Sequence, residues 1–344
     1  MSKKIIIRTP NHLGDCLMAL PMINETKEAY PAAHLTVLTP ENLADLYLSN
    51  PAIDEILTIP SKYVHGLVAI TKTKEILKDK SFDIGYILPP SFGAAAGFKL
   101  SSIKERIGYI TDGRRLLLSK PLPLTMPINS IHRSELYYNL LRRGTGKDIE
   151  YVKPKLMLND TDMEKAATLL ENFDLPRKYD FIAVSFRAVA ESRRWGKDNY
   201  IELIKRVITE LKLKILLVGT EDDKNMGDEI ASACGLDEVK NMAGITSIRE
   251  VAAIISLAKL FVGNDSGPAH IAAAVGVPLV VLSGADDPQS TSPMASDKVV
   301  LYQNDLECIS CVKNICPNKG EDFMKCMTEI SVDRTFQAVQ LLLT

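Results

Sequence analysis

Residues 261–284 read FVGNDSGPAHIAAAVGVPLVVLSG, an apolar run broken by an acid, a serine and a glycine, followed by an alanine-rich stretch and a second apolar run. Short apolar runs bounded by turn residues read as buried strands, and an Asp or Ser ahead of a longer segment is a helix start. The stretch is therefore strand, loop, helix over roughly 266–275, and strand again. Asp265 or Ser266 caps that helix, its first N–H groups face an anion, and Gly267 lets a phosphate approach the backbone. The competing reading is a plain helix cap, with His270 satisfied inside the first turn.

The same alternation runs along the rest of the chain. KKIIIR (3–8) is a strand, the loop TPNHLGD follows, and CLMALPMINETKEAY (16–30) is a helix. Strands HLTVLT, DEILTI and FDIGYIL continue the pattern, with helical stretches around 41–49 and 66–79. NDTDMEKAATLLENFDLPRKYD (159–180) carries an Asp-capped helix and a Pro-containing linker, after which FIAVSF restarts the alternation. KILLVG, KLFVGN and PLVVLSG are further strands, with helices near 198–211, 222–233 and 247–258. Strands alternating with helices build parallel sheets, so the fold class is α/β with two Rossmann-like domains, the first over residues 1–174 and the second over 175–327. Facing domains of this kind leave a cleft, and open parallel sheets bind ligands at the carboxyl ends of their strands.

Composition agrees with an ordinary globular enzyme. The 344 residues exceed the usual size of a single core, 46% are hydrophobic and 24% charged, and the net charge is −2. That balance lacks the basic excess of a nucleic-acid binder, so no nucleic-acid partner is expected. The start holds only three isoleucines before Arg8, too few for a signal-peptide core or a membrane span, and a cytoplasmic location is expected.

The loops after strands hold the candidate chemistry. In LLVGTEDDKN, Glu221 or Asp223 is placed to accept ribose hydroxyls, or else is a solvated acid at a helix start. The loop TPNHLGDC has one glycine and fails the G-x-G-x-x-G dinucleotide fingerprint, which disfavours a nicotinamide oxidoreductase. Asp15 stands where this loop becomes a helix, either as a general base or as an acid favoured by the helix dipole. Cys16 beside it reads as a buried helix-face cysteine rather than a nucleophile. Cys308, Cys311, Cys316 and Cys326 are spaced C-x2-C-x4-C-x9-C. Four thiolates this close either hold a structural metal or remain free thiols or a chance disulfide, and the spacing fits no standard zinc ribbon.

Taken together, HLGDCLMALP, SRRWGKDNYIELIKRV, the block from NMAGITSIREV to VLSGADDP, and STSP resemble glycosyltransferase family nine, the ADP-heptose:lipopolysaccharide heptosyltransferases. Residues 82–120 are similar in order and spacing to the acceptor-side region of the heptosyltransferase II group. The resemblance implies a GT-B fold, with the donor nucleotide sugar held by the second domain and the acceptor by the first. It also implies a terminal helix, 328–344, packing back on the N-terminal domain. Asp15 would be the general base for an inverting transfer of heptose from ADP-heptose, and Asp265, Ser266, Gly267 and His270 would hold the donor. No metal cofactor is expected for catalysis: the one D-x-D string, Asp160-Thr161-Asp162, begins a helix and reads as capping. Arg193 and the helix terminus would then carry the diphosphate charge. A terminus contributes only about 0.3–1 kcal/mol at a surface, so the guanidinium must supply more.

Arg193-Arg194-Trp195-Gly196 stands where the family usually has K-R-W-P, and SFRAVA replaces its P-G-A, leaving the roles of Ser185 and Arg187 open. The family's lysine-bearing N-S-F-K-S is PSFGAAAG here. Lys99, Lys104, Arg106, Arg114 and Arg115, with Lys120 and Arg133, form a local basic excess. It suits an anionic acceptor, which the resemblance identifies as the lipopolysaccharide inner core with peripheral contact at the inner membrane face; the alternative is a solvated surface with ordinary ion pairs. Two other functions stay open at this point: transfer of another nucleotide-linked sugar, and an inert nucleotide-sugar-binding protein.

Overall fold

The computed structural model describes residues 2–125, 130–175 and 180–344. The chain divides into two compact units, Met1–Pro154 and Lys155–Thr344. In the first, β1 (Lys4–Arg8), α1 (Leu13–Ala29), β2 (His34–Pro40), β3 (Glu55–Ile59), α2 (Gly66–Ile76), β4 (Ile84–Ile87), α3 (Phe92–Leu100), β5 (Glu105–Tyr109), β6 (Lys120–Leu122) and α4 (Arg133–Thr145) follow in order. All strand pairs are parallel, in the order β3-β2-β1-β4-β5-β6. Both faces of such a sheet are covered, so its strands read as apolar runs: Ile5, Ile6 and Ile7 of β1 are all fully buried.

The second unit repeats the plan with α5 (Asp160–Asn172), β7 (Phe181–Ser185), α6 (Lys197–Arg206), β8 (Lys214–Leu217), α7 (Lys224–Cys234), β9 (Val239–Asn241), α8 (Ile248–Ser256), β10 (Leu260–Asn264), α9 (Gly267–Val275) and β11 (Leu279–Leu282). It closes with α10 (Pro288–Thr291), β12 (Lys298–Leu301), α11 (Lys325–Thr328) and α12 (Val332–Leu343). The parallel sheet runs β12-β11-β10-β7-β8-β9, the same topology as the first. Each sheet reverses its winding where its first strand meets its fourth, at β1/β4 and at β7/β10, and the crevice outside those strand ends is where α/β folds bind ligands.

Several expectations are corrected. The division falls after residue 154, not 174, because α5 belongs to the second unit. Arg249 on α8 grips Asp162 on α5 through Nε at 2.9 Å and through a second, shorter Nη2 bond, while Leu156 N donates to Ala274 O at 3.0 Å. The Pro-containing linker over 175–180 lies mostly outside the described residues. The terminal helix belongs to the second unit: α12 buries Phe336 and Val339 in that unit's own core with Trp195, Val262 and Leu282. An amphipathic helix goes where its apolar stripe finds matching apolar surface. The helix expected at 41–49 is a 3-10 turn over Glu41–Tyr47, and α3 was not legible because FGAAAGFKL is buried along most of its length and shows no polar face. Among the described residues no helix is long and apolar enough to cross a membrane.

The Asp162–Arg249 pair is nearly buried, with side chains 10% and 7% exposed, and Asp162 also closes a capping box with Asn159. The Arg249 hydrogen bond holds the Asp162 carboxyl below its ordinary value of 3.8, so the pair's contribution is present above that pH and is lost as pH falls through the lowered value. Arg249→Ala should cost about 3 kcal/mol in urea unfolding near neutral pH, because it strands a buried carboxylate. The loss should shrink in acid; a pH-independent loss would show that packing, not charge, is what the arginine supplies.

Candidate active site

At the switch point of the first sheet, β1 ends at Arg8 and α1 begins at Leu13, with Asp15 in its first turn. A carboxylate there is favoured by the helix dipole, and no side chain caps the helix at His12. The preceding loop is shaped by Arg8, which is 3% exposed and donates through Nη2 to Asn11 Oδ1 at 2.6 Å. Burial lowers the Arg8 pKa to about 10. Asp15 is half-buried, and its Oδ1 accepts a 3.3 Å bond from the Tyr137 hydroxyl on α4. Tyr137 lies 122 residues away in sequence and was not among the expected site residues. Cys16 is fully buried, donates to Pro10 O at 3.3 Å, and has its thiol pushed up to about 12 by burial, which rules it out as a nucleophile.

The five cations expected at the acceptor are not equally free. Arg114 is 1% exposed and clamps the ends of β4 and β5, donating through Nε to Tyr109 O at 2.9 Å and through Nη1 to Pro89 O; burial lowers its pKa to about 10. Arg106 spends its guanidinium on Leu117 O and Ile103 O, and Lys104 pairs with Asp83 at 2.7 Å. Lys99, Lys104 and Arg115 stay exposed, Lys99 donating to Leu116 O at 3.2 Å. Strand-end carbonyls compete for guanidinium donors as strongly as any ligand, and that competition is invisible in a count of charges.

At the second switch point β10 ends at Asn264 and α9 begins at Gly267. Ser266 occupies the cap position, yet its Oγ makes no capping bond; it is buried without a partner among the described residues. The amides of Ala269 and His270 turn to Ser266 O at 3.1 and 3.4 Å, and Pro268 has no N–H, so the amide cradle is thinner than expected. Asp265 is not the cap either: it accepts from Ser283 Oγ at 3.1 Å, and its Oδ1 lies 3.9 Å from His270 Nε2. Burial, then the nearby Asp286 charge, raises the Asp265 pKa to about 7.

Beside this carboxylate pair Arg193 Nη2 meets Asp286 Oδ1 at 2.7 Å, while its Nε is buried without a partner among the described residues. Trp195, two residues on, fixes the segment: its amide donates to Asn264 Oδ1 at 3.1 Å, its indole to Ile330 O at 2.7 Å, and its ring meets Tyr200 edge-on at 5.0 Å. A buried hydroxyl and a guanidinium N–H left unpaired cost about 1–3 kcal/mol each, a cost that an anion bound at either would relieve.

The β8 loop separates the two expected ribose acids. Asp223 is occupied: Oδ2 accepts from Thr220 N and Oγ1 at 2.8 and 2.9 Å, and Oδ1 faces Arg187 Nη1 at 3.2 Å. That is the helix-start role. Glu221 is exposed and lies over Gly244, whose φ is +84° and where a Cβ would sit 2.2 Å from Glu221 Oε2. Only glycine holds that approach.

Cys308, Cys311, Cys316 and Cys326 are all free thiols lining one small recess. Of the two readings of this cluster, the structural metal is not supported: among the described residues no three His, Cys, Asp or Glu side chains are grouped to hold an ion. Several thiols have local partners instead. Cys316 Sγ accepts from Met324 N at 3.3 Å and Cys308 Sγ from Asn318 Nδ2 at 3.4 Å, while burial pushes Cys326 up to about 11. The segment acts as a strap. Ser310 N and Val312 N donate to Gly284 O and Ala285 O at 3.3 and 2.8 Å, and Ser192 N, next to Arg193, donates to Asn314 O at 3.1 Å.

Because the Asp265 carboxyl is raised from 3.8 to about 7, its ionisation weighs against the folded state increasingly as pH climbs across that window. Asp265→Asn should therefore raise the Tm relative to wild type at about pH 8 and lose that advantage near about pH 4. A gap that is constant with pH would mean the carboxyl is not held in a charge-averse site.

Comparison with known proteins places these features in a family. The sequence profile of glycosyltransferase family 9 (heptosyltransferase) matches residues 70–321. The chain is 28% identical over 302 residues to lipopolysaccharide heptosyltransferase 2 of Escherichia coli, a match spanning 85% of this chain and 86% of that protein. Its fold is similar to the structure of E. coli ADP-heptose lps heptosyltransferase II, with a TM-score of 0.79 at 24% identity over 99% of this chain and 98% of the other. It is also similar to the family 9 glycosyl transferase of Veillonella parvula, with a TM-score of 0.85 at 21% identity over 100% and 98% of the two chains. Two parallel six-stranded sheets of the GT-B type, together with a profile match over most of its length, establish that this chain belongs to glycosyltransferase family 9, the heptosyltransferases.

Proposed function

We propose that this enzyme transfers heptose from ADP-heptose to an anionic lipopolysaccharide inner-core acceptor, with inversion at the anomeric carbon and Asp15 as the general base. The observation that carries this reading is the Asp15 carboxylate itself. It stands at a switch point, half-buried, with one oxygen held by Tyr137 and the other without a hydrogen bond among the described residues. In the step proposed, the acceptor hydroxyl gives its proton to Asp15 as its oxygen bonds the anomeric carbon. The bond from that carbon to the diphosphate breaks, and ADP leaves with the electron pair. One displacement from the opposite face inverts the centre.

The departing diphosphate needs positive charge and donors, and the unpaired Arg193 Nε and Ser266 Oγ supply both without a metal ion. Arg193 is neutralised by Asp286, so diphosphate binding would exchange one anionic partner for another rather than bury a bare cation. Glu221 is the acid left free for ribose hydroxyls, and Lys99, Lys104 and Arg115 are cations left exposed for an anionic acceptor, Lys104 sharing its charge with Asp83. The curated and structural relatives support the sugar and the acceptor by what their own names say they act on.

Asp15→Asn should lower kcat for ADP release in the presence of acceptor by about 10²–10⁴, the range for a lost general base, while ADP-heptose affinity by calorimetry stays put. Equal turnover would remove Asp15 from the mechanism. Arg193→Ala should weaken ADP-heptose binding more than adenosine binding, since only the former presents a diphosphate; equal losses for both ligands would place Arg193 elsewhere. A chelator should leave wild-type turnover unchanged.

A further inference from the structure

We propose that Tyr137 is the positioning residue of the base: it holds Asp15 Oδ1 so that Oδ2 is presented to the acceptor hydroxyl. This deepens the reading above and rests on it.

The geometry is directional. Tyr137 and Arg133 are four residues apart on α4, so their side chains share a face. The Tyr137 hydroxyl donates to Asp15 Oδ1 at 3.3 Å, and Arg133, whose Nε is buried without a partner among the described residues, stands near it. An ionised carboxylate only accepts, so the phenol spends its one proton on Asp15. The bond therefore runs from phenol to carboxylate.

The phenol is suited to a fixed role. Tyr137 is 5% exposed, and burial, followed by the Asp15 charge, raises its pKa well above the ordinary value, so it remains a donor throughout the working range. The groups that face it are Asp15 and Cys16 from α1 and Arg133 from its own helix. Cys16 is a buried thiol that stays protonated, which leaves Asp15 as the anionic target. An ordinary surface acid at a helix start needs no buried phenol from a helix 122 residues away. Pinning one oxygen narrows the carboxylate to one orientation, and a displacement of even about 1 Å at a reacting group can cost about 10² in rate.

The test is Tyr137→Phe, which deletes one oxygen from a buried ring, assayed with ADP-heptose and lipopolysaccharide truncated at the inner core. Expected are a kcat lower by about 10-fold or more and an unchanged KM for ADP-heptose, a split that a general loss of structure would not produce. Placed on Asp15→Asn, the same substitution should cause no additional loss, since the two residues act as one unit. Tyr137→His, which keeps a ring N–H donor, should retain more kcat than Tyr137→Phe, and Tyr137→Met, which has no donor, carries the test if Tyr137→Phe does not fold. Wild-type kcat in Tyr137→Phe, alongside an inactive Asp15→Asn, would overturn the positioning role and leave the general base intact. A fully active Asp15→Asn would instead overturn the base itself, and the positioning role with it.

Discussion

A parallel strand can be joined to its neighbour only by a crossover, and a crossover helix covers the face it crosses. Each six-stranded sheet here has both faces covered, which forces its winding to reverse once, between β1 and β4 and between β7 and β10. At a reversal the helices leave in opposite directions and the strand ends are left uncovered. Asp15 and the 264–270 loop stand at the two reversals, so the location of the candidate chemistry follows from how parallel sheets must be wound.

The charges near those strand ends are sorted by what they touch. Arg8 and Arg114 are buried on backbone carbonyls or neutral side chains, Arg249 is buried on a carboxylate, and all three hold loops or helices in place. Arg193 differs: it is paired with Asp286 but keeps a buried N–H unspent, and its charge reaches Asp265, a carboxyl that burial keeps near neutrality, whose neighbour in the chain, Ser266, has an unspent hydroxyl. A site with spare donors and a poised acid stores an electrostatic deficit that a diphosphate ligand relieves. The cysteine-bearing strap is part of this arrangement, because its backbone bonds to Ala285 and Ser192 fix the segments that carry Asp286 and Arg193.

Gly284 shows how closely the strap is fitted. A Cβ there would lie 2.9 Å from Cys326 Sγ and 2.6 Å from Met327 Sδ, so the loop after β11 and the cysteine segment approach at glycine distance. The clustering of four cysteines in sequence thus reflects a closely packed strap of free thiols around one recess, with separate local contacts for several of them.

The sequence by itself determined the α/β class, most of the buried strands, the switch-point loops and the family, because these depend on local apolar runs, turn residues and motif spacing. It also singled out Asp15, Arg193, Glu221 and the 265–270 loop. Only the tertiary structure decided that α5 and α12 belong to the second unit, since a helix's destination is set by which apolar surface matches its stripe. It alone separated Glu221 from Asp223 and Arg115 from Arg114, residues adjacent or nearly so and alike in charge, by showing which were already spent on a cap or a carbonyl. Tyr137 was out of reach for the same reason: a phenol 122 residues from its carboxylate leaves no periodicity or spacing to read, and their meeting exists only once α1 and α4 are packed together.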